Sequence, residues 1–232
     1  MARMTLLNGH VYTSPNGVRG FDADEKISPR AAAAFYAYGY RFCVRYVGRL
    51  KANAKDLTPS EAKGLLTAGL GLMPVQHVAS ESAWTPTLEK GASYGAFAAK
   101  EVARIGIPPG VTVWCDLEGV ATGTDAANVI AYCNQWHSAV AGAGFVPGLY
   151  VGWHAGLDAT QLYGDLRFTH YWGAYNLNAD EAPAIRGLQM RQAARKATDT
   201  VRGFDFPFQT DRVQADSLGG RPTLIARDGW LD

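Results

Sequence analysis

The sequence predicts an α/β fold, a modified TIM-type (β/α) barrel built as a single domain, and three observations predict it. Short apolar, strand-like runs alternate with helical patterns along most of the chain, each pair separated by Gly, Pro, Asn or Asp. Eight such runs can be read between Val18 and Gln214, the number a closed barrel needs. The chain has 232 residues, 47% apolar and 19% charged, enough for one core of that size, and shows no linker, low-complexity segment or internal repeat. A doubly wound open sheet is the structural alternative. Residues 1–17 read as an N-terminal extension and 18–232 as the barrel domain.

The elements follow in order. VRGFDAD (18–24) reads as the first strand. SPRAAAAFYAYG (28–39) carries a Ser cap, Pro in the first turn, an Ala-rich body and a closing Gly, a full set of helix start and stop signals. RFCVRYVG (41–48) is the second strand, and TPSEAKGLLTAG (58–69) the second helix, with Thr58 and Glu61 spaced as a capping box. GLMPVQHV (71–78), a helix within 88–106, VTVWCDLEG (111–119) and a helix from about 125 to 144 come next. VPGLYVGW (146–153) is the fifth strand, followed by a short helix around 158–166. HYWGAYN (170–176) and GLQMRQA (187–193) are the sixth and seventh, and the eighth lies within FDFPFQTDRVQ (204–214), where Pro207 blurs its limits.

Composition excludes some partners. With 22 basic and 21 acidic residues the formal net charge is +1, which gives no long-range attraction to nucleic acid or to an anionic membrane. No run approaches the ~20 apolar residues of a membrane helix, and the N-terminus lacks the apolar core of a secretory signal. The expectation is synthesis in the cytoplasm without a signal peptide. Cys43, Cys115 and Cys133 lack metal-ligand or CxxC spacing and read as small buried hydrophobes. No cofactor is expected, and the sequence is silent on oligomeric state.

Chemistry concentrates in residues 111–120, VTVWCDLEGV. Alternation along a strand puts Val111, Val113, Cys115 and Leu117 on one apolar face, suited to covering helices, and turns Thr112, Trp114, Asp116 and Glu118 inward. The two carboxylates then stand at the C-terminal mouth, where such barrels carry their sites. Their Cα atoms lie about 6.6 Å apart, so each disfavours ionisation of the other, and a protonated acid beside a carboxylate is the equipment for cleaving a glycosidic bond. The bland alternative is a pair neutralised by a basic residue such as Arg45, or one that holds a metal.

Other strand ends carry matching residues. Asp22 closes the first strand, and Asp205 or Asp211 lies near the eighth, its neighbour in a closed barrel. Tyr46, His77, Tyr150, Trp172, Tyr175, Gln189 and Gln192 end the others. Aromatic faces with amide and carboxylate hydrogen-bonders suit a neutral, hydroxyl-rich ligand such as a saccharide, which makes Tyr46, His77, Tyr150, Trp172, Tyr175 and Gln192 candidate substrate-binding residues.

GFDAD, FCVRYVG, LMPVQHV, the DLE of VWCDLEG, GLYVGW, YWGAYN, MRQ and DRVQADSLGGRP together resemble the glycoside-hydrolase-like domain family once catalogued as a domain of unknown function. That family is similar to the family 25 glycoside hydrolases, the Chalaropsis-type lysozymes, and the likeness runs from about Val18 to Pro222. It implies cleavage of the bond between N-acetylmuramic acid and N-acetylglucosamine in peptidoglycan. Glu118 is implied as proton donor. Asp116 is implied as its anionic partner, which orients the substrate N-acetyl group or activates water. Asp22 matches the supporting aspartate of GFD, and Asp211 is chosen over Asp205 and Asp216 as the strand-eight aspartate. The family's Trp-Gln-Tyr pattern on the seventh strand is replaced here by MRQA. Members occur in actinobacterial secreted proteins and in phage lysis or virion modules, and the missing signal points to the phage type, reaching peptidoglycan through a holin or within a virion. Two rivals remain: a metal-dependent barrel hydrolase such as a phosphodiesterase, with Asp22, His77, Asp116 and Glu118 as ligands, and a glycan-binding or virion-structural module without turnover.

Overall fold

The computed structural model describes residues 5–80, 82–193, 201 and 207–231. In chain order the strands and helices are β1 (His10–Thr13), β2 (Arg19–Ala23), α1 (Pro29–Ala37), β3 (Phe42–Val47), α2 (Pro59–Thr67), β4 (Gly71–Gln76), α3 (Leu88–Ile105), β5 (Thr112–Leu117), α4 (Ala126–Gly142), β6 (Val146–Val151), α5 (Ala159–Gly164), β7 (Tyr171–Gly173), β8 (Met190–Ala193), β9 (Gln209–Val213) and β10 (Thr223–Ala226).

Each helix starts where a side-chain oxygen takes a free N–H of the first turn. Ser28, Thr58, Thr87, Asp125 and Asp158 do this for α1 to α5 in turn. The Thr58 hydroxyl accepts from the Glu61 N–H at 3.2 Å, but the return arm of the expected capping box is diverted. The Glu61 carboxylate accepts instead from Arg45 Nε at 2.8 Å and from the Ile27 N–H at 2.9 Å, because a buried guanidinium demands a charged partner more strongly than a half-buried N-cap amide does.

Strands β2 to β8 run parallel, and β9 closes the ring antiparallel to both β8 and β2. The result is a closed eight-strand mixed barrel with helices outside, a single α/β domain. It departs from a regular (β/α) barrel at β9, whose reversed direction brings its first residue, Gln209, rather than its last, to the mouth. Outside the barrel, β1 pairs antiparallel with β10, and β10 joins β4 through Ile225 opposite Leu72.

The alternation on β5 is as the sequence indicates. Cys115 Sγ faces the Tyr132 hydroxyl of α4 at 3.7 Å, while Trp114 lies inside the barrel with its ring 5.9 Å from that of Trp172. Gly148 stands opposite Trp114 in register, and any Cβ there would collide with the indole. A large residue is thus fitted against a missing one, the interdigitation that packed cores use. All three cysteines are buried free thiols. No helix among the described residues is long and apolar enough to cross a membrane.

Candidate active site

The C-terminal ends of β2 to β5 and the start of β9 surround a cavity of about 300 Å³. Asp22, Asp116 and Glu118 line it, with Tyr46 and His77 as ring-bearing walls and Asp24, Glu25, Lys55 and Gln209 around the rim. Strand geometry explains the grouping: these residues are the last inward-facing positions of adjacent parallel strands, and β9 enters from the same end.

Beneath the cavity two carboxyls meet. Asp22 and Asp211 are both buried and hydrogen-bonded to one another. Two carboxylates cannot donate, so the contact requires a proton. Burial raises the proton affinity of both carboxyls, so the pair shares a proton between Asp22 and Asp211. Gln192 Nε2 donates to Asp22 Oδ2 at 2.9 Å, and Trp172 Nε1 donates to Asp211 Oδ1 at 2.9 Å. Burial dominates nonetheless: it pushes Asp22 up to about 7, and Asp211 well above the ordinary carboxyl range. Burial likewise raises the Tyr46 and Tyr150 phenols, with the fields of Asp22, Asp116 and Glu118 adding to it. Both hydroxyls are therefore kept protonated as donors.

Glu118 follows the end of β5 and is held by its neighbours. Its carbonyl oxygen accepts from Trp84 Nε1 at 2.6 Å. Its side chain lies against Gly152, where an added Cβ would come within 2.6 Å of both Glu118 Cβ and Oε2. Only glycine at 152 leaves room for the carboxylate in this position. Arg45 does not neutralise the pair. It points to the outer face of β3, with Nε on Glu61 and Nη2 on the Lys55 carbonyl at 2.9 Å. On the rim Lys55 pairs with Glu25, and His77 Nε2 lies 2.9 Å from Asp56 Oδ1 with its ring tilted against Tyr46, centroids 4.7 Å apart. Among the described residues no three His, Cys, Asp or Glu side chains converge as a metal-ligand set.

Of the residues singled out from sequence, Asp22, Asp116, Glu118, Tyr46 and His77 line the cavity. Tyr150, Trp172 and Gln192, expected as sugar-facing walls, are buried behind it. Tyr150 donates to Gln192 Oε1 at 3.2 Å and packs on Trp172 with centroids 4.5 Å apart, so these three hold the Asp22–Asp211 pair. Tyr175 is exposed, its N–H 3.4 Å from Gln192 Oε1. Asp216 is committed elsewhere, to Arg186 at 2.6 Å and to the Leu218 and Gly220 N–H groups. Gln189 donates to Asp216 and to the Thr169 carbonyl, and Asp205 lies outside the described residues. Sequence reasoning missed Asp24 and Glu25, although they continue the acidic run after GFD, and missed Lys55, Trp84 and Gly152, which carry no local signal.

The buried acid pair makes stability depend on pH. The folded protein holds a proton on Asp22 up to about pH 7, against an ordinary value of 3.8. The unfolded chain releases that proton earlier. Stabilisation from this group is therefore full below the unfolded value and is lost as pH rises through 7, with a slope of at most about 1.4 kcal/mol per pH unit. Denaturant unfolding between pH 4 and pH 8 is expected to show this loss in the wild type and a flatter dependence in Asp22→Asn. Identical dependences would contradict the assignment.

The family model described as "Rv2525c-like, glycoside hydrolase-like domain" matches residues 33–204, and the chain belongs to that family. The match includes Asp116 and Glu118 and stops short of Asp22 and Asp211. No protein of the curated set matches in sequence. Among solved structures, the Tat-secreted protein Rv2525c of Mycobacterium tuberculosis in complex with L-tartrate is similar, with a TM-score of 0.61 at 16% identity over 86% of this chain and 96% of that one. The muramidase from Trichobolus zukalii gives 0.57 at 17%, over 85% and 93%. The catalytic domain of endolysin ply40, from bacteriophage P40 of Listeria monocytogenes, gives 0.58 at 17%, over 87% and 95%. A family 25 glycosyl hydrolase from Bacillus anthracis shares the fold as well. At these identities the likeness is one of fold.

Proposed function

We propose that the protein is a muramidase-type glycoside hydrolase that cleaves the bond between N-acetylmuramic acid and N-acetylglucosamine in bacterial peptidoglycan. The observation that carries this reading is the convergence of Asp22, Asp116 and Glu118 on one small cavity at the barrel mouth. Glu118 gives its proton to the glycosidic oxygen as the bond to the anomeric carbon breaks. Asp116 stays anionic and either orients the N-acetyl group for internal attack or activates the water that completes hydrolysis. Asp22 and Asp211 support the donor from below, with Tyr46 and His77 flanking the sugar.

Action at the cell wall is supported by likeness in fold to a muramidase and an endolysin. Within that reading the protein is a phage-type lysin, released through a holin or carried in a virion. Export by a dedicated signal, as for the Tat-secreted Rv2525c, is the alternative route, and a cleaved signal on the full gene product would establish it. Glycan binding without turnover is the second reading, favoured by the exposed Trp153 and Tyr175 rings beside the mouth.

Turbidity loss of purified peptidoglycan, followed against pH with a chelator present, tests the proposal. A protonated donor beside an ionised partner gives a bell-shaped profile with its maximum on the acidic side of neutrality. A rate that keeps climbing above neutral pH would contradict the carboxyl pair. Activity lost to the chelator and restored by a divalent cation would favour the metal-dependent hydrolase.

A further inference from the structure

We propose that a second cavity, at the C-terminal ends of β6 and β7, is a saccharide subsite lying across Glu118 from the Asp22 cavity, with the Trp153 ring as its stacking face. The inference rests on the glycosidase reading and extends it to the other side of the scissile bond. An enzyme that cuts within a polysaccharide must hold sugar on both sides of the oxygen it protonates, because binding energy away from that oxygen is what fixes its position. The Asp22 cavity, at about 300 Å³, lies at the low end of ligand pockets and has room for about one sugar ring. The second cavity is larger, about 650 Å³.

The two cavities share a wall. Gly152 lines the second and Glu118 lines the first, and the Glu118 carboxylate rests directly on Gly152. A donor between two pockets is where a bond spanning them would be protonated.

Trp153 is presented to this cavity in a fixed way. The Gly119 N–H donates to the Trp153 carbonyl at 2.8 Å, and the Val120 N–H to the His154 carbonyl at 2.9 Å, which ties the platform to the segment carrying Glu118. His154 adopts a left-handed backbone, φ 53°, and its ring lies 3.9 Å from the Trp153 indole. Trp153 is 55% exposed, whereas Trp84, Trp114, Trp136, Trp172 and Trp230 are at most 6% exposed. An indole left in water at the edge of a cavity is suited to cover the C–H face of a pyranose. Charge sets the ligand class. Among the described residues the lining includes Asp158, Asp180 and Glu181 and no Lys or Arg, so it repels anions and suits a neutral N-acetylated sugar. Asn176 and Asn178 on the same wall supply amide partners for hydroxyl and acetamido groups.

The test uses iodide quenching of tryptophan fluorescence, which in the free protein reports chiefly Trp153. The Glu118→Gln protein is titrated with soluble glycan fragments prepared from peptidoglycan, and binding is measured in parallel by calorimetry. Protection of the fluorescence at saturation is expected, as is a roughly tenfold weaker affinity in a further Trp153→Ala variant, recovered by Trp153→Phe. Fragments that bind, or that the wild type cleaves, while Trp153 stays fully quenchable would overturn the subsite and leave the glycosidase reading standing. Protection of Trp153 in a protein that never cleaves the wall would overturn the glycosidase reading and with it the subsite's place across a scissile bond, leaving a glycan-binding pocket. Absence of any binding overturns the subsite.

Discussion

Glu118→Gln is expected to lower turnover on peptidoglycan by about 10²–10⁴-fold, the usual contribution of a positioned general acid, while folding and glycan binding persist. The amide keeps the shape of the carboxyl, so the contact with Gly152 is preserved, and the Trp84 bond is to the backbone oxygen, which the substitution leaves alone. The loss therefore reports chemistry rather than packing. It has a signature one residue away: the Glu118 charge is among the causes that raise Asp22, so the variant should shift the Asp22 titration downward. A variant that cleaves at the wild-type rate would remove Glu118 from the donor role.

The second large effect concerns stability. Arg45 is fully buried and its partner Glu61 nearly so, with side-chain exposures of 0% and 6%. Replacing Arg45 by Met leaves the Glu61 carboxylate buried without its counter-ion, a loss of about 3–5 kcal/mol for such pairs. Arg45 also donates to the carbonyls of Ala23 and Lys55, just before Asp24 and within the segment that brings Lys55 to the rim. The variant should unfold at markedly lower urea and bind glycan fragments more weakly. A change in unfolding free energy below about 1 kcal/mol would show that the pair is no better than a surface ion pair.

Much of this architecture was legible in the sequence because local rules and the global fold agree. The Ser28 and Thr58 caps mark helices that form where they indicate, and each of the eight barrel strands falls within its apolar run. The two-residue period alone turned Asp116 inward and Cys115 outward. Strand direction was not legible: parallel and antiparallel strands carry the same alternation, so the reversal of β9 is set by the closure of the ring. The β1–β10 pair escaped because HVYT and TLIA are too short to stand out from turn sequence.

Within the candidate site, residues at strand ends were legible and the supporting contacts were not. Tyr150, Trp172 and Gln192 share the strand-end placement of Tyr46 and His77, yet they are buried under the cavity. A single strand shows which face a residue takes and not how deep in the barrel it ends. The Asp22–Asp211 proton, the Gly152 contact and the diversion of Glu61 to Arg45 join segments far apart in the chain, and no local pattern encodes them.

The reaction proposed for this mouth is hydrolysis of the bond between N-acetylmuramic acid and N-acetylglucosamine. The most direct test is mass spectrometry of the fragments that the wild-type protein releases from purified peptidoglycan, after borohydride reduction of their new ends. Reduced N-acetylmuramic acid at those ends, absent with Glu118→Gln, is the predicted result. Reduced N-acetylglucosamine, or soluble fragments without any new reducing end, would contradict it.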